Sequence, residues 1–164
     1  MPYAEAVKPT EKTINDYLKQ LKNTSVHSRM AAAWGLSRAE NITKLDKPQI
    51  EQVVNTLKDI LSNEKNADIR RNAAVALGSL GEKAISAATA LRDALEDKSP
   101  DVRKYATWAL GNIGDKFALP FLVNGVNNEN ETTDVRRYAV EAVGKLASNK
   151  DRYAVETLDA LAKQ

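Results

Sequence analysis

Apolar residues along the chain fall at spacings of four, four and three, and that interval series returns three times in register. Ile69, Ala73, Leu77 and Leu80 form one stripe, Val102, Ala106, Leu110 and Ile113 a second, and Val135, Ala139, Val143 and Leu146 a third. Such spacing traces one face of an α-helix, where a half-buried strand would alternate. The stripes lie 33 residues apart, and whole blocks recur with them: Val102-Arg103-Lys104-Tyr105-Ala106 answers Ile69-Arg70-Arg71-Asn72-Ala73 and Val135-Arg136-Arg137-Tyr138-Ala139. A period of that length predicts stacked structural repeats, each covering the apolar face of its neighbour.

Helix starts are written in the same register. Asn66, Ser99 and Thr132 occupy the N-cap column, Pro100 the first helical position of its unit, and Asp68, Asp101 and Asp134 the first turn. A side-chain acceptor, a residue lacking N–H and a carboxylate each suit a helix N-terminus. Ser25 carries the cap column back to a degenerate first unit, in which Arg29 aligns with Arg70, Trp34 with Trp108 and Leu36 with Leu77.

Each of these helices follows a partner stripe: Ile14, Tyr17, Leu18 and Leu21; Ile50, Val53, Val54, Leu57, Ile60 and Leu61; Ile85, Ala88, Leu91 and Leu95; and Leu119, Phe121, Leu122 and Val126. Pro120 belongs in the first turn of its helix. A last stripe, Tyr153, Val155, Leu158 and Leu161, supplies half a unit able to close an open end. The expected organisation is an N-terminal arm over residues 1–9 and one repeat domain over 10–164. Its units run from about 10 to 40, 48 to 81, 82 to 114 and 115 to 147, with the half unit at 151–164. Asp46-Lys47-Pro48 marks a loop and the next helix start, and Asn127 to Glu131 a longer polar turn.

Composition narrows the chemistry. The 164 residues carry a net charge of +2 and no cysteine, which removes disulfides and thiolate sites and argues against a polyelectrolyte coat for nucleic acid. No run reaches the ~18 apolar residues of a membrane span, and Met1 to Lys8 lacks a secretory pattern, so cytoplasm is the expected compartment. His27 is the only histidine. Neither a nucleophile with its base nor a set of metal ligands is singled out, so no catalytic residue, metal or cofactor is expected.

The string Asp101-Val102-Arg103-x-x-Ala106-x-x-Ala109-Leu110-Gly111-x-Ile113-Gly114, matched by Asp68 to Gly81 and largely by Asp134 to Ala147, resembles the second helix of HEAT-like repeats. The closest flavour is the short bacterial type of phycobilisome lyase HEAT-like proteins. The resemblance implies an all-α, right-handed α-solenoid of about four and a half HEAT-like helical hairpins. It also implies an inter-repeat ladder between Arg29, Arg70, Arg103 and Arg136 and Asp68, Asp101 and Asp134; His27 stands in the acid column of the first unit, where no rung is expected.

In repeats of this kind, second-helix positions not fixed by packing line a concave face. Those positions hold Trp34, Arg71, Asn72, Lys104, Tyr105, Trp108, Asn112, Arg137, Tyr138, Glu141 and Lys145, together with Met30, Ala31 and Arg38. Helical phase agrees, since Tyr105, Trp108 and Asn112 share a face turned away from Ala106 and Leu110. Counted in these columns, cations exceed acids by four, which predicts a basic, aromatic surface. The expected function is a noncatalytic scaffold or adaptor whose protein partner is acidic with apolar anchors. The resemblance supplies a second reading, a bilin lyase-like subunit or chaperone that takes a bilin or a phycobiliprotein. Weak nucleic-acid binding ranks third.

Overall fold

The computed structural model describes residues 11–38, 42, 45–147, 155, 156 and 159, with side chains from Ile14 onward. The arm at 1–9 and most of the half unit at 151–164 lie outside the described residues. Helices α1 (Glu11–Leu21), α2 (Val26–Ser37), α3 (Lys47–Asn63), α4 (Ala67–Leu80), α5 (Ala88–Asp93), α6 (Pro100–Ile113), α7 (Leu119–Asn127) and α8 (Thr133–Leu146) follow one another with no strand among the described residues.

The helices form two layers. Consecutive second helices α2, α4, α6 and α8 lie side by side, and each packs on the first helix of its own hairpin. Between the layers, Leu36, Leu57, Leu77, Leu91, Leu110, Ile113 and Leu122 are fully buried, and they come from the stripes the sequence displays. Removing such side chains from water is what holds a helical pair together, at roughly 1.5–3 kcal/mol for each large apolar group.

The caps fall where expected. Ser25, Asn66, Ser99 and Thr132 each accept backbone N–H bonds in the first turn of the following helix. Asp46 opens α3 in a reciprocal capping box with Gln49, ahead of Pro48. At the other end of the hairpin, Gly81 and Gly114 take positive φ values of 58° and 79° as the chain leaves α4 and α6.

The first layer departs from the sequence reading in its third unit. The expected helix breaks into a 3-10 segment Gly81–Ala87, the short α5, and a second 3-10 turn Ala94–Glu96. A 3-10 turn repeats every three residues, so Ala84 and Ala87 turn inward, followed by Ala88, Leu91 and Ala94. Ile85, expected inside, is half exposed as a result. In the fourth unit a 3-10 turn Lys116–Ala118 precedes α7 and the inward set is Ala118, Leu122, Val123 and Val126. Phe121, also expected inside, is thereby turned out.

Stacked units are fastened by arginines, but not by the acids expected. Arg29 Nε and Nη2 donate to Glu64 at 2.6 and 3.2 Å, Arg70 to Asp97 at 2.8 and 2.8 Å, and Arg103 to Glu131 at 2.7 and 2.7 Å. Glu64, Asp97 and Glu131 stand in the turn ahead of each second helix, where they also accept the N–H of Asn66, Ser99 and Thr132. The first rung exists, since its acid comes from the next unit and His27 has no part in it. Arg136 at the end of the series donates to the carbonyl of Val126 at 3.1 Å.

Candidate protein-binding face

The residues expected on the binding face lie on α2, α4, α6 and α8, with Arg38 just past the end of α2, yet their exposure differs from the expectation. Trp34 is 56% exposed, whereas Trp108 is half-buried. The cause is Gly78: a Cβ built there would stand 2.3 Å from Trp108 Cζ3 and 3.0 Å from the Cα of Ala109. The glycine lets α6 approach α4 and gives the indole a shelf. Sequence phase placed Trp108 outside the core stripe correctly but could not show that the neighbouring helix covers it.

Three groups of side chains divide the face. At the N-terminal end, Trp34 borders a depression of about 360 Å³ between α2 and α4, lined by His27, Met30, Ala31, Asp68, Arg71 and Asn72. The guanidinium of Arg38 lies 5.3 Å from the Trp34 ring centroid, a cation–π distance. Asn72 is only 5% exposed.

Further along, Tyr105 and Tyr138 from adjacent units meet at 6.3 Å between ring centroids, tilted by 54°. Each carries a cation over its face, with Lys104 Nζ 5.0 Å from Tyr105 and the Arg137 guanidinium 4.7 Å from Tyr138. In the third group Lys145 donates to Asn112 at 3.0 Å and pairs with Glu141 at 2.8 Å.

The electrostatics correct the expected basic surface. Asp68, Asp101 and Asp134, which the sequence reading assigned to the ladder, instead turn onto this face. They pair with Arg71 at 2.9 Å, Lys104 at 2.9 Å and Arg137 at 3.3 Å, one helical turn on, and Asp134 also lies 3.8 Å from Lys104. Hydrogen bonding from Lys104 outweighs partial burial and holds the Asp101 carboxyl below its ordinary range, while Asp101 in turn raises the Lys104 ammonium. Five cations, Arg38, Arg71, Lys104, Arg137 and Lys145, face four carboxylates, Asp68, Asp101, Asp134 and Glu141. The face is close to balanced, with one net positive charge.

Such a surface can offer aromatic area, a recess and paired polar groups. Among the described residues no three His, Cys, Asp or Glu side chains converge on a common point. No described helix is long and apolar enough to cross a membrane.

Residues 54–143 and 88–164 both match HEAT repeats. The chain belongs to the HEAT-repeat family. No curated protein matches it significantly in sequence. Among solved structures it is similar to an engineered protein at 20% identity and TM-score 0.66, over 91% of this chain and 68% of that one. A computationally designed armadillo repeat protein for modular peptide recognition matches at 21% identity and TM-score 0.64, over 92% and 72%. The complex of CpcE and CpcF of phycocyanin lyase from Nostoc sp. PCC7120 matches at 22% identity and TM-score 0.67, over 96% of this chain and 62% of the lyase chain. At these identities the likeness is one of fold, an α-solenoid of HEAT or armadillo type. HEAT-repeat solenoids generally serve as protein-interaction scaffolds.

Proposed function

We propose that this protein is a noncatalytic scaffold that holds a polypeptide partner along the exposed face of α2, α4, α6 and α8, the concave side in solenoids of this kind. Residues 10–164 act as one repeat domain, with 1–9 as an arm. The observation that carries the reading is Trp34, a large aromatic left exposed beside a recess while its counterpart Trp108 is packed away. Exposed tryptophan and tyrosine flanked by arginine are the residue types that dominate binding hot spots. The near balance of charge favours a partner of mixed charge with apolar anchors over the acidic one expected from the cations counted along the face columns.

The bilin reading draws on the lyase-like fold alone, and the cations that would meet propionates, Arg71, Lys104 and Arg137, already hold carboxylates. Nucleic acid has still less support, because one net charge neutralises few phosphates. Affinity capture from native lysate tests the scaffold, with Trp34→Ala and Tyr138→Ala beside a Phe117→Ala control in the outer layer. The expected result is a partner retained by wild type and Phe117→Ala and lost from the other two. Retention by all four moves the site elsewhere; a visible absorption change on adding a linear tetrapyrrole would revive the second reading.

A further inference from the structure

Asn72 is buried to 95% and lines the recess beside Trp34, an unusual place for a polar side chain. Its Oδ1 faces Arg71, whose Nε and Nη2 both lie 3.4 Å away. No hydrogen bond engages its Nδ2, although among the described residues every fully enclosed side-chain nitrogen or oxygen has a partner. The amide nitrogen is therefore reached from the recess, and it presents donors there. A donor held in one direction by burial of the rest of its side chain can exchange water for a ligand carbonyl without reorganising.

The remaining walls define what that carbonyl belongs to. Trp34, Met30 and Ala31 make the apolar side, where an uncharged side chain would lie. Across from them the carboxylate of Asp68, more than half exposed, can accept an N–H while keeping its bond to Arg71. A donor and an acceptor beside an apolar recess match a peptide group and its adjoining apolar side chain. Neither a phosphate nor a carboxylate fits as well, since Asp68 would repel it and Arg71 is already engaged.

We propose that Trp34, Asn72 and Asp68 form an anchor subsite for a polypeptide segment, with Asn72 Nδ2 donating to a backbone carbonyl and Trp34 covering the apolar side chain next to it. The inference rests on the scaffold reading and fixes where the partner is gripped. Binding is then anchored at the N-terminal end of the face, and the tyrosine pair downstream adds contact area.

Linear peptides displayed on phage would be selected against the full chain, and the recovered peptides measured by fluorescence anisotropy. Wild type would be compared with Trp34→Ala, Asn72→Asp, the double variant Tyr105→Ala with Tyr138→Ala, and the double variant Phe117→Ala with Phe121→Ala, all checked for unchanged helical content. Asn72→Asp keeps the shape and the acceptor facing Arg71 but removes the donor. The expected result is at least a tenfold loss of affinity in both Trp34→Ala and Asn72→Asp, with the phenylalanine pair unaffected. Loss confined to the tyrosine pair would overturn the subsite and leave the scaffold reading standing. Loss confined to the phenylalanine pair would overturn both, and recovery of no peptide at all would overturn the subsite.

Discussion

Arg70 grips Asp97 of the following turn through two parallel bonds, Nε to Oδ2 and Nη2 to Oδ1, both 2.8 Å, while its Nη1 donates to the carbonyls of Glu64 and Lys65. One guanidinium thus joins the turn of its own hairpin to that of the next. Both side chains are largely buried. A planar fork with five donors suits this task where a lysine ammonium would not.

Replacing Asp97 by Asn keeps the shape but removes the charge and one of the two acceptors facing Arg70. The guanidinium is then left short of a counter-charge in a largely buried position, and the expected cost is about 2 kcal/mol. Urea unfolding checks this, with Arg70→Lys as a companion that should lose a similar amount. A cost below about 0.5 kcal/mol would reduce the rung to surface decoration.

The three ladder acids also set an acid limit. Hydrogen bonds from Arg29 hold Glu64 down, and those from Arg103 do the same for Glu131. Burial pushes Asp97 up, but its bonds to Arg70 and Ser99 outweigh that and the result is again a lowered value. Because the folded values lie below the unfolded ones, this stability is fully present above the ordinary carboxylate range, about pH 4. It is lost as pH falls through that range and the lower folded values. Urea midpoints should be flat from pH 7 to about pH 5 and fall steeply below about pH 4, with a shallower fall in a Glu64→Gln, Asp97→Asn, Glu131→Gln variant.

How much of this was legible beforehand differs by layer. The second helices carry their apolar stripe, cap and first-turn acid in one register, so packing only had to agree with what each segment favours alone. The third first-layer helix is legible only as an apolar stripe, and its phase turns on 3-10 turns that composition does not announce. The ladder acids were missed although Glu64 and Asp97 share the 33-residue period, because the third member, Glu131, stands one place beyond the column occupied by Asn130. Asp68, Asp101 and Asp134 were more regular, and regularity pointed at the wrong partners. Exposure on the binding face depended on the neighbouring helix, which is why Trp34 and Trp108, expected on the same face, differ in accessibility.

That difference separates the two tryptophans experimentally. Truncating Trp108 uncovers the surface around Gly78 and should cost about 2 kcal/mol, less than the ~3–5 kcal/mol of a fully buried aromatic because the indole is only half-buried. Truncating Trp34 should change stability by less than about 0.5 kcal/mol, as for ordinary surface positions. Thermal and urea unfolding of the two single variants decide it; equal losses would contradict the packing of Trp108 against α4.

Gly78→Ala probes the same contact from the other side. The added methyl would overlap the Trp108 ring and press on the backbone of Ala109, and only the ring can move. Overpacking of this kind should cost roughly 1–3 kcal/mol, despite the higher helix propensity of alanine. The displaced indole should be more accessible, so its emission shifts to the red and acrylamide quenches it more efficiently. A Trp34→Phe background leaves Trp108 as the sole indole and makes the reading unambiguous.

The balance of charge on the binding face makes the last prediction, which concerns salt. A surface with four unopposed cations would attract an acidic partner over a distance comparable to the Debye length, and its affinity would fall steeply as that length shrinks. Here Arg71, Lys104, Arg137 and Lys145 each hold a carboxylate of the same face, so the field reaching a partner is mostly that of short-range pairs. For peptides bound at Trp34 and Asn72, raising NaCl from 50 to 500 mM should change Kd by less than about threefold. Reversing one pair by Asp134→Lys unbalances the face, and the slope should then steepen for acidic peptides and stay shallow for neutral ones. A steep salt dependence already present in wild type would mean that the intramolecular pairs open on binding and that the partner's own carboxylates replace Asp101 and Asp134.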